Sequence, residues 1–157
     1  MSYERARDYL ASHSMEDRII LFDVSSATVA LAAAALGCEE SHIAKTLSFD
    51  VDGKTVLIVA AGDMKVDNRK FKDYFHTKAK MLSHDEAEER TGHAVGGVCP
   101  FGVRDGVEIY LDESLRRFET VYPAAGTAAS AVRLSPDELA SILPSASWID
   151  VTKASLQ

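Results

Sequence analysis

The sequence predicts an α+β fold in which strands outnumber helices. Short apolar runs of the kind that form strands occur more often than segments with helical periodicity. The dipeptides Asp52-Gly53 and Asp105-Gly106 each separate two such runs, and this pattern favours two-residue hairpin turns. The length of 157 residues predicts one domain, 1–157, which can bury enough surface to fold without covalent staples.

Two helices and three strands are predicted in the first sixty residues. Residues 2–13 form an amphipathic helix, because Tyr3, Ala6 and Leu10 recur at helical spacing. The alanine-rich run 28–36 is a helix that Gly37 ends, since glycine accepts the left-handed conformation there. Strands are predicted over 18–24, 43–50 and 55–60, with a turn at Asp23, Ser25 and Ser26 after the first.

Capping residues mark the helices of the second half. Asp67, Ser83 and Ser135 each precede a helical segment, over 68–75, over 84–90 and from 136 onward. A helical turn is predicted at 112–117. Extended segments are predicted over 78–82, 102–104, 108–111, 120–123, 131–134 and 148–151, with 102–104 and 108–111 paired as a hairpin.

The charge distribution argues against tight binding of a nucleic-acid duplex. The formal net charge is −7, whereas a protein that grips phosphates strongly is usually basic. Residues 65–80 are an exception, with six basic and two acidic residues and therefore a net charge of +4. This segment suits brief contact with the end of a nucleic acid. The alternative is a solvated helix face.

Neither the cysteines nor the histidines have the spacing of a metal site. Cys38 and Cys99 lie far apart in unrelated contexts, which indicates a reducing compartment such as the cytoplasm. We therefore expect no metal and no cofactor. No apolar run approaches 18 residues, so no membrane span is predicted, and residues 1–7 lack the apolar core of a signal peptide.

The stretch from Thr91 to Gly102 is the most unusual part of the chain. It contains four glycines and Pro100 in twelve residues, yet it is largely apolar. Glycine allows a backbone to approach a ligand closely, and N–H groups in such a loop can point at an oxygen as an oxyanion hole does. The alternative is a tight connection between two strands.

A second stretch contains Lys45 at the start of an apolar strand, where an unpaired lysine is unfavourable. Together the two stretches resemble the YbaK/ProX family of aminoacyl-tRNA editing domains. The resemblance runs from about Thr28 to Leu143. Its motifs are Ile43-Ala44-Lys45-Thr46-Leu47, Ala60-Ala61-Gly62-Asp63, Gly96-Gly97-Val98-Cys99-Pro100-Phe101-Gly102, and Ala125-Gly126 before Val132-Arg133-Leu134.

The resemblance implies a fold and an activity. The fold would be a mixed, mostly antiparallel barrel-like sheet surrounded by helices. The activity would be that of a stand-alone deacylase, which hydrolyses the ester of a mischarged tRNA, with tRNA(Pro) carrying Ala, Cys, Ser or Thr as the expected substrate. The tRNA acceptor end would be a transient partner and prolyl-tRNA synthetase a further one. The alternative is a non-catalytic module of the same fold that binds tRNA or a synthetase.

The resemblance also implies roles for individual residues. Lys45 matches the family's essential lysine, which could hold the terminal phosphate or ribose or polarise the ester. We expect the backbone N–H groups around Gly96 to Cys99, with Gly96 and Gly97 as the catalytic glycines, to stabilise the oxyanion. The other expected site residues are Val98, Cys99, Pro100, Phe22, Gly126 and His93 at the substrate, and Lys70 and Lys72 on the tRNA.

Two residues of the loop invite a further interpretation. Cys99 could be a thiol nucleophile with His93 as its base, which would also fit a small-molecule thiol hydrolase. The family pattern favours an ordinary small residue before Pro100, a structural histidine, and attack by water or by the substrate itself.

The sequence departs from the branch of the family that clears cysteine. That branch tends to have a tyrosine where this chain has Phe22 and an acid where it has Ala131. Alanine or another small amino acid is therefore at least as consistent with the sequence as cysteine. Discrimination between such side chains is worth only about 1–3 kcal/mol, which a sequence does not reveal.

Overall fold

A five-stranded mixed sheet forms the centre of the fold. The computed structural model describes residues 2–23, 28–94 and 96–155. Its helices are α1 (Ser2–Ser12), α2 (Val29–Leu36), α3 (Asn68–Phe75), α4 (His84–Thr91) and α5 (Pro136–Ser141). Its strands are β1 (Ile19–Leu21), β2 (Ile43–Val51), β3 (Lys54–Ala61), β4 (Met64–Val66), β5 (Glu108–Asp112), β6 (Tyr122–Pro123), β7 (Ser130–Val132), β8 (Ser147–Ile149) and β9 (Thr152–Ala154). Short 3-10 helices cover Glu16–Arg18, Glu40–His42 and Glu113–Arg117.

The central sheet has the strand order β6-β2-β3-β5-β8. Strands β2 and β3 form the predicted antiparallel hairpin, in which Lys45 pairs with Ala60 and Val51 with Lys54. Both turn residues have positive φ, 51° at Asp52 and 88° at Gly53, as a type I′ turn requires. The other three pairings of this sheet are parallel, and the antiparallel pairs β1–β7 and β4–β9 flank it. The α+β class with a curled mixed sheet is therefore confirmed.

Apolar side chains cover both faces of the central sheet. One face carries a large cluster that includes Val59, Ala61, Cys99, Phe101 and Leu111. The opposite face packs on α3 through a smaller cluster. It contains Phe49, Val51, Val56, Ile58, Phe71, Ile149 and Val151.

The capping predictions are confirmed. Asp67 accepts from the backbone N–H groups of Arg69 and Lys70 at the start of α3. Ser83 and Ser135 each form a reciprocal capping box at the start of α4 and α5. Each such cap stabilises a helix by about 1 kcal/mol. These three caps fix the starts of helices that the sequence placed correctly.

The predicted hairpin around Asp105-Gly106 is wrong. The described residues 102–107 form turns instead of a strand. Strand β5 pairs in parallel with β3 and β8, because the connections on both of its sides are long enough for crossovers. Gly102 has a φ of +67° and lies against the backbone of Arg5, which leaves no room for a strand partner.

Two other predicted segments differ in extent. The segment 78–82 makes a single bridge, between Met81 and Phe49, in place of a full strand. Strand β1 is shorter than predicted, and Val24, Ser25 and Ser26 lie outside the described residues. No helix in the described part of the chain is long and apolar enough to cross a membrane.

Candidate active site

A cleft runs along the open edge of β2. On this side β6 pairs with Ile43 and Ala44, and the segment 80–82 exchanges backbone hydrogen bonds with Ser48 and Asp50. Between them, residues 45–47 have no strand partner on this edge among the described residues. The gap between two short partners therefore leaves backbone and side chains of β2 accessible to a ligand.

The cleft has a volume of about 410 Å³, which lies within the range of small-molecule sites. Its described lining combines small apolar residues with hydroxyl groups and contains no carboxylate. Lys45 and His84 are the lining residues that can carry positive charge. The lining residues are Thr28, Val29, Ala32, Leu36, Ile43, Ala44, Lys45, Thr46, Ser48, Met81, Leu82, His84, Ala87, Gly96, Val98, Tyr122, Ala124, Thr127, Ser130 and Ala131.

Lys45 lies at the cleft and is half-buried. Its Nζ donates a hydrogen bond to the Met64 carbonyl. Burial lowers the pKa of Lys45, and the charge of the Asp63 carboxylate opposes that effect. Because an ammonium group has three N–H donors, two remain for a ligand in the described structure.

The Gly-rich loop reaches the cleft through Gly96 and Val98. Gly96 has a φ of +84°, a conformation that glycine adopts without strain. Among the described residues, the N–H groups of Gly96 and Val98 have no acceptor. These two donors are therefore free to bind an oxygen in the cleft.

Gly97 does not fit the predicted role of an oxyanion donor. Its N–H donates to the Ala94 carbonyl at 3.0 Å and closes a turn. A Cβ at Gly97 would overlap the backbone of Gly126 and Thr127. Gly97 therefore serves the close packing of two loops, and Gly96 and Val98 are the loop residues at the cleft whose N–H groups have no acceptor in the described structure.

Cys99 and Pro100 lie on the side of the Gly-rich loop that faces the core, and they do not line the cleft. Both are buried, and Cys99 packs in the core beside Ala6, Leu10 and Phe101. Burial raises the pKa of the Cys99 thiol to about 12, so the thiolate is scarce at neutral pH. The prediction that these residues contact substrate is corrected, because α1 packs against this side of the loop.

His93 is also part of that buried layer. Its Nε2 lies 2.6 Å from the Phe101 carbonyl, and its Nδ1 lies 2.9 Å from the Ser2 hydroxyl. Because a carbonyl only accepts, Nε2 must carry the proton. Nε2 is also the nitrogen nearest Cys99 Sγ, at 3.6 Å, so His93 has no free base to offer that thiol. The structure thus gives His93 a structural role.

Phe22 and Gly126 lie near the cleft without lining it in the described structure. Phe22 follows β1, is half-buried, and donates its N–H to the Ala129 carbonyl. Gly126 has a φ of +88° and is wedged between Gly97 and the backbone of Ser2. Both residues support the loop 124–131, whose own members Thr127, Ser130 and Ala131 do line the cleft.

The two lysines expected to contact tRNA differ in their surroundings. Lys70 Nζ lies 3.0 Å from Asp150 Oδ1 and 2.9 Å from the Thr152 carbonyl, so it ties α3 to Asp150 and to the start of β9. Lys72 is exposed on the same helix. Neither lines the cleft, but the chain runs from α3 directly to Met81 and Leu82, which do.

Sequence reasoning missed the hydroxyl group of Thr46. This residue follows Lys45 and lines the cleft, and its Oγ1 is fully buried with no hydrogen-bond partner among the described residues. A buried hydroxyl without a partner is costly and calls for an explanation. The sequence pattern that could have identified Thr46 is the alternation of Ala44, Thr46 and Ser48, because alternate residues of a strand share one face.

Within residues 2–23, 28–94 and 96–155, no cluster of His, Cys, Asp or Glu could hold a metal ion. In the described part of the chain, the groups near the cleft that can bind a ligand include N–H donors, hydroxyls, the Lys45 ammonium and the His84 imidazole. Such a set can bind an ester or a phosphate and can stabilise negative charge that develops on a carbonyl oxygen.

Comparison with known proteins identifies the family of this chain. Residues 24–142 match the aminoacyl-tRNA editing domain, and the chain belongs to that family. The uncharacterized protein YwhH of Bacillus subtilis (strain 168) is 49% identical over 154 residues, which cover 98% of each chain. A candidate Cys-tRNA(Pro)/Cys-tRNA(Cys) deacylase of Enterococcus faecalis, EbsC, is 31% identical over 70% of this chain and 68% of its own.

Solved structures show the same architecture. A crystal structure described as a candidate trans-editing enzyme for prolyl tRNA synthetase superposes with a TM-score of 0.87. The two sequences are 28% identical, and the match covers 98% of each chain. The fold and the order of its elements are therefore those of the editing-domain family.

Proposed function

We propose that this protein is a stand-alone deacylase that hydrolyses mischarged tRNA, with tRNA(Pro) bearing a small amino acid as its substrate. The observation that carries the proposal is the convergence of Lys45 with the free N–H groups of Gly96 and Val98 at one cleft of an editing-domain fold. The names of EbsC and of the similar crystal structure support the choice of a prolyl tRNA.

Ester hydrolysis requires that the developing oxyanion be stabilised. The N–H groups of Gly96 and Val98 would take this part, because they have no acceptor among the described residues and belong to residues that line the cleft. Each donor of this kind typically contributes about 10²–10³ in rate. Lys45 would bind the terminal phosphate or ribose oxygens, or polarise the ester, through its two remaining N–H donors.

The attacking group is water or a group of the substrate itself. Cys99 is unsuited to that role, because it is buried and its thiol has a pKa raised to about 12. His93 is unsuited as a base, because its Nε2 proton is directed at the Phe101 carbonyl. The deacylation step would therefore proceed without a covalent enzyme intermediate.

The cleft lining favours a small, neutral amino-acid side chain. Ala32, Ala44 and Ala131 provide apolar walls, and Thr28, Ser48 and Thr127 are among the polar lining residues. Ala131 occupies the position where the cysteine-clearing branch tends to have an acid, and the described lining contains no carboxylate. These features support alanine, serine and threonine esters as readily as cysteine.

The tRNA end would approach along α3. Lys72 is exposed on that helix, whereas Lys70 is bonded to Asp150 and so contributes less. The net charge of −7 implies weak, brief contact, and prolyl-tRNA synthetase would supply further selectivity as a partner. With these substrates, the protein would act in the cytoplasm.

A panel of tRNA(Pro) charged with Ala, Cys, Ser or Thr tests the proposal. We expect rapid release of one or more of these amino acids and no release of proline. Binding of the charged tRNA without release of any amino acid would overturn the proposal and favour the non-catalytic module of the same fold.

A further inference from the structure

The lysine at the cleft is held by a short turn between β3 and β4. Its ammonium donates to the carbonyl of Met64, the first residue of β4. The turn consists of Gly62 and Asp63, so the position of the Met64 carbonyl depends on how firmly these two residues are fixed. Three other parts of the chain fix them.

The first support comes from the 3-10 helix Glu113–Arg117. Arg117 forms a two-pronged ion pair with Asp63, with N–O distances of 2.6 and 3.1 Å. The same guanidinium donates from Nε to the Ser114 carbonyl at 2.8 Å and stacks over the ring of Phe118 at 4.6 Å. The guanidinium of Arg117 is therefore bonded through all three of its nitrogens, and its orientation fixes the plane of the Asp63 carboxylate.

The other supports act on the backbone. The carbonyl of Asp63 accepts from the N–H of Ser155 at 3.0 Å and from its hydroxyl at 2.8 Å. A Cβ at Gly62 would overlap the Glu40 carbonyl, so the chain passes directly against the preceding 3-10 helix. The turn is thus held by side-chain charge, by the segment after β9 and by close packing.

We propose that Asp63, clamped by Arg117, is a positioning residue that aims the Lys45 ammonium by fixing the turn and placing a negative charge beside it. Arg117 bonds both oxygens of Asp63, so the carboxylate acts on the ammonium through its charge without pairing with it directly. The inference rests on the proposed function and deepens it. It assigns the positioning of Lys45, which lies in the cleft, to the Asp63–Arg117 ion pair, which lies outside it.

Charge interactions agree with this geometry. The Asp63 carboxylate raises the pKa of Lys45 against the larger lowering by burial, and the hydrogen bond from Arg117 lowers the pKa of Asp63. The other titratable groups among the described lining residues are His84 and Tyr122. Removal of the Asp63 charge should therefore lower the pKa of Lys45 further, since burial then acts unopposed.

The first test needs no tRNA. The pKa of Lys45 is measured by NMR from the 13C shift of its ε-carbon in the wild type, Asp63→Asn and Arg116→Ala. We expect a lower pKa in Asp63→Asn only. Arg116 is a matched control, because it adjoins Arg117, is similarly exposed and pairs with Glu113 at 3.3 Å. A wild-type pKa in Asp63→Asn would overturn the inference.

The second test uses deacylation kinetics. Arg117→Ala should lower kcat about tenfold with little change in KM, Arg117→Lys should recover part of that loss, and Arg116→Ala should match the wild type. Equal kcat in Arg117→Ala and the wild type would overturn the inference. If the wild type releases no amino acid from any ester, the proposed function fails, and the Lys45 pKa alone decides the positioning role.

Discussion

Gly97 and Gly126 pack backbone against backbone, so closely that a methyl group on Gly97 would overlap the Gly126 carbonyl. This contact joins the Gly-rich loop to the loop 124–131. Both loops contribute residues to the cleft, Gly96 and Val98 from one and Thr127 and Ser130 from the other. The shape of the cleft therefore depends on a pair of glycines that do not line it.

Gly97→Ala should lower the midpoint of thermal unfolding and reduce deacylation strongly, because the loops must separate to admit the methyl group. Gly106→Ala is the control: Gly106 has a φ of +89° but nothing within 4 Å of its Cβ position. That substitution should cost about 1 kcal/mol from backbone strain and leave the rate of deacylation unchanged. Equal activity in Gly97→Ala and the wild type would contradict the packing role.

Thr46→Val should separate stability from activity. The Thr46 hydroxyl is buried without a partner, so its removal should leave the free energy of unfolding unchanged or raise it by up to about 1–3 kcal/mol. If that hydroxyl binds the substrate, kcat/KM should fall about tenfold, the loss expected for one hydrogen bond. Urea unfolding and deacylation kinetics measure the two effects.

Thr55→Val provides the opposite pattern for comparison. The Thr55 hydroxyl accepts from Arg90 Nε at 2.8 Å on the exposed end of β3 and does not line the cleft. We expect lower stability and unchanged kinetics in that variant. Unchanged kcat/KM in Thr46→Val would show that its hydroxyl does not contact the substrate.

Thiol labelling tests the structural role of Cys99. Iodoacetamide at pH 8 should modify the half-buried Cys38 in the folded protein, while Cys99 should react only after denaturation. Deacylation should survive the labelling, and Cys99→Ala should retain activity. Rapid modification of Cys99 in the folded protein, with loss of deacylation, would instead support the hypothesis that Cys99 is the nucleophile.

The buried His93 should make stability depend on pH. Burial lowers the pKa of His93 below its ordinary value of 6.5. As pH falls through 6.5, the unfolded chain binds a proton that the folded protein does not, so the free energy of unfolding decreases. Above that pH the contribution is fully present.

Urea unfolding between pH 7.5 and 5.5 measures this slope, in a range where carboxylates titrate little. His93→Gln should flatten the slope, whatever its effect on stability at neutral pH. His84→Gln is the control, because that side chain is exposed. An unaltered slope in His93→Gln would mean that the pKa of His93 is the same in the folded and unfolded protein, and would contradict the lowering by burial.

Local signals in the sequence were sufficient for most elements. The caps at Asp67 and Ser83 and the turn at Asp52-Gly53 depend on neighbouring residues alone, and each was placed correctly. The direction of β5 relative to its neighbours was predicted wrongly, because a short apolar run does not by itself show whether its partner strands are parallel or antiparallel. The turn at Asp105-Gly106 exists but does not join two paired strands.

The candidate site shows the same division. Lys45, Gly96 and Val98, which the strand and loop motifs singled out, line the cleft, while their roles stay predictions. The placement of Cys99 and His93 behind the loop depends on α1, whose Ser2 bonds the imidazole from ninety-one residues away. A motif identifies the loop, but only tertiary packing decides which of its sides faces the cleft.

The central claim is that Lys45 acts in ester hydrolysis at this cleft. The most direct test compares deacylation of the best tRNA(Pro) ester by the wild type, Lys45→Ala and Lys54→Ala, each checked by thermal unfolding. Lys54 is an exposed strand lysine that pairs with Glu108 at 3.4 Å. We predict a loss of at least about 10²-fold for Lys45→Ala alone, as for removal of one preorganised electrostatic group. Full activity in a folded Lys45→Ala variant would contradict the account.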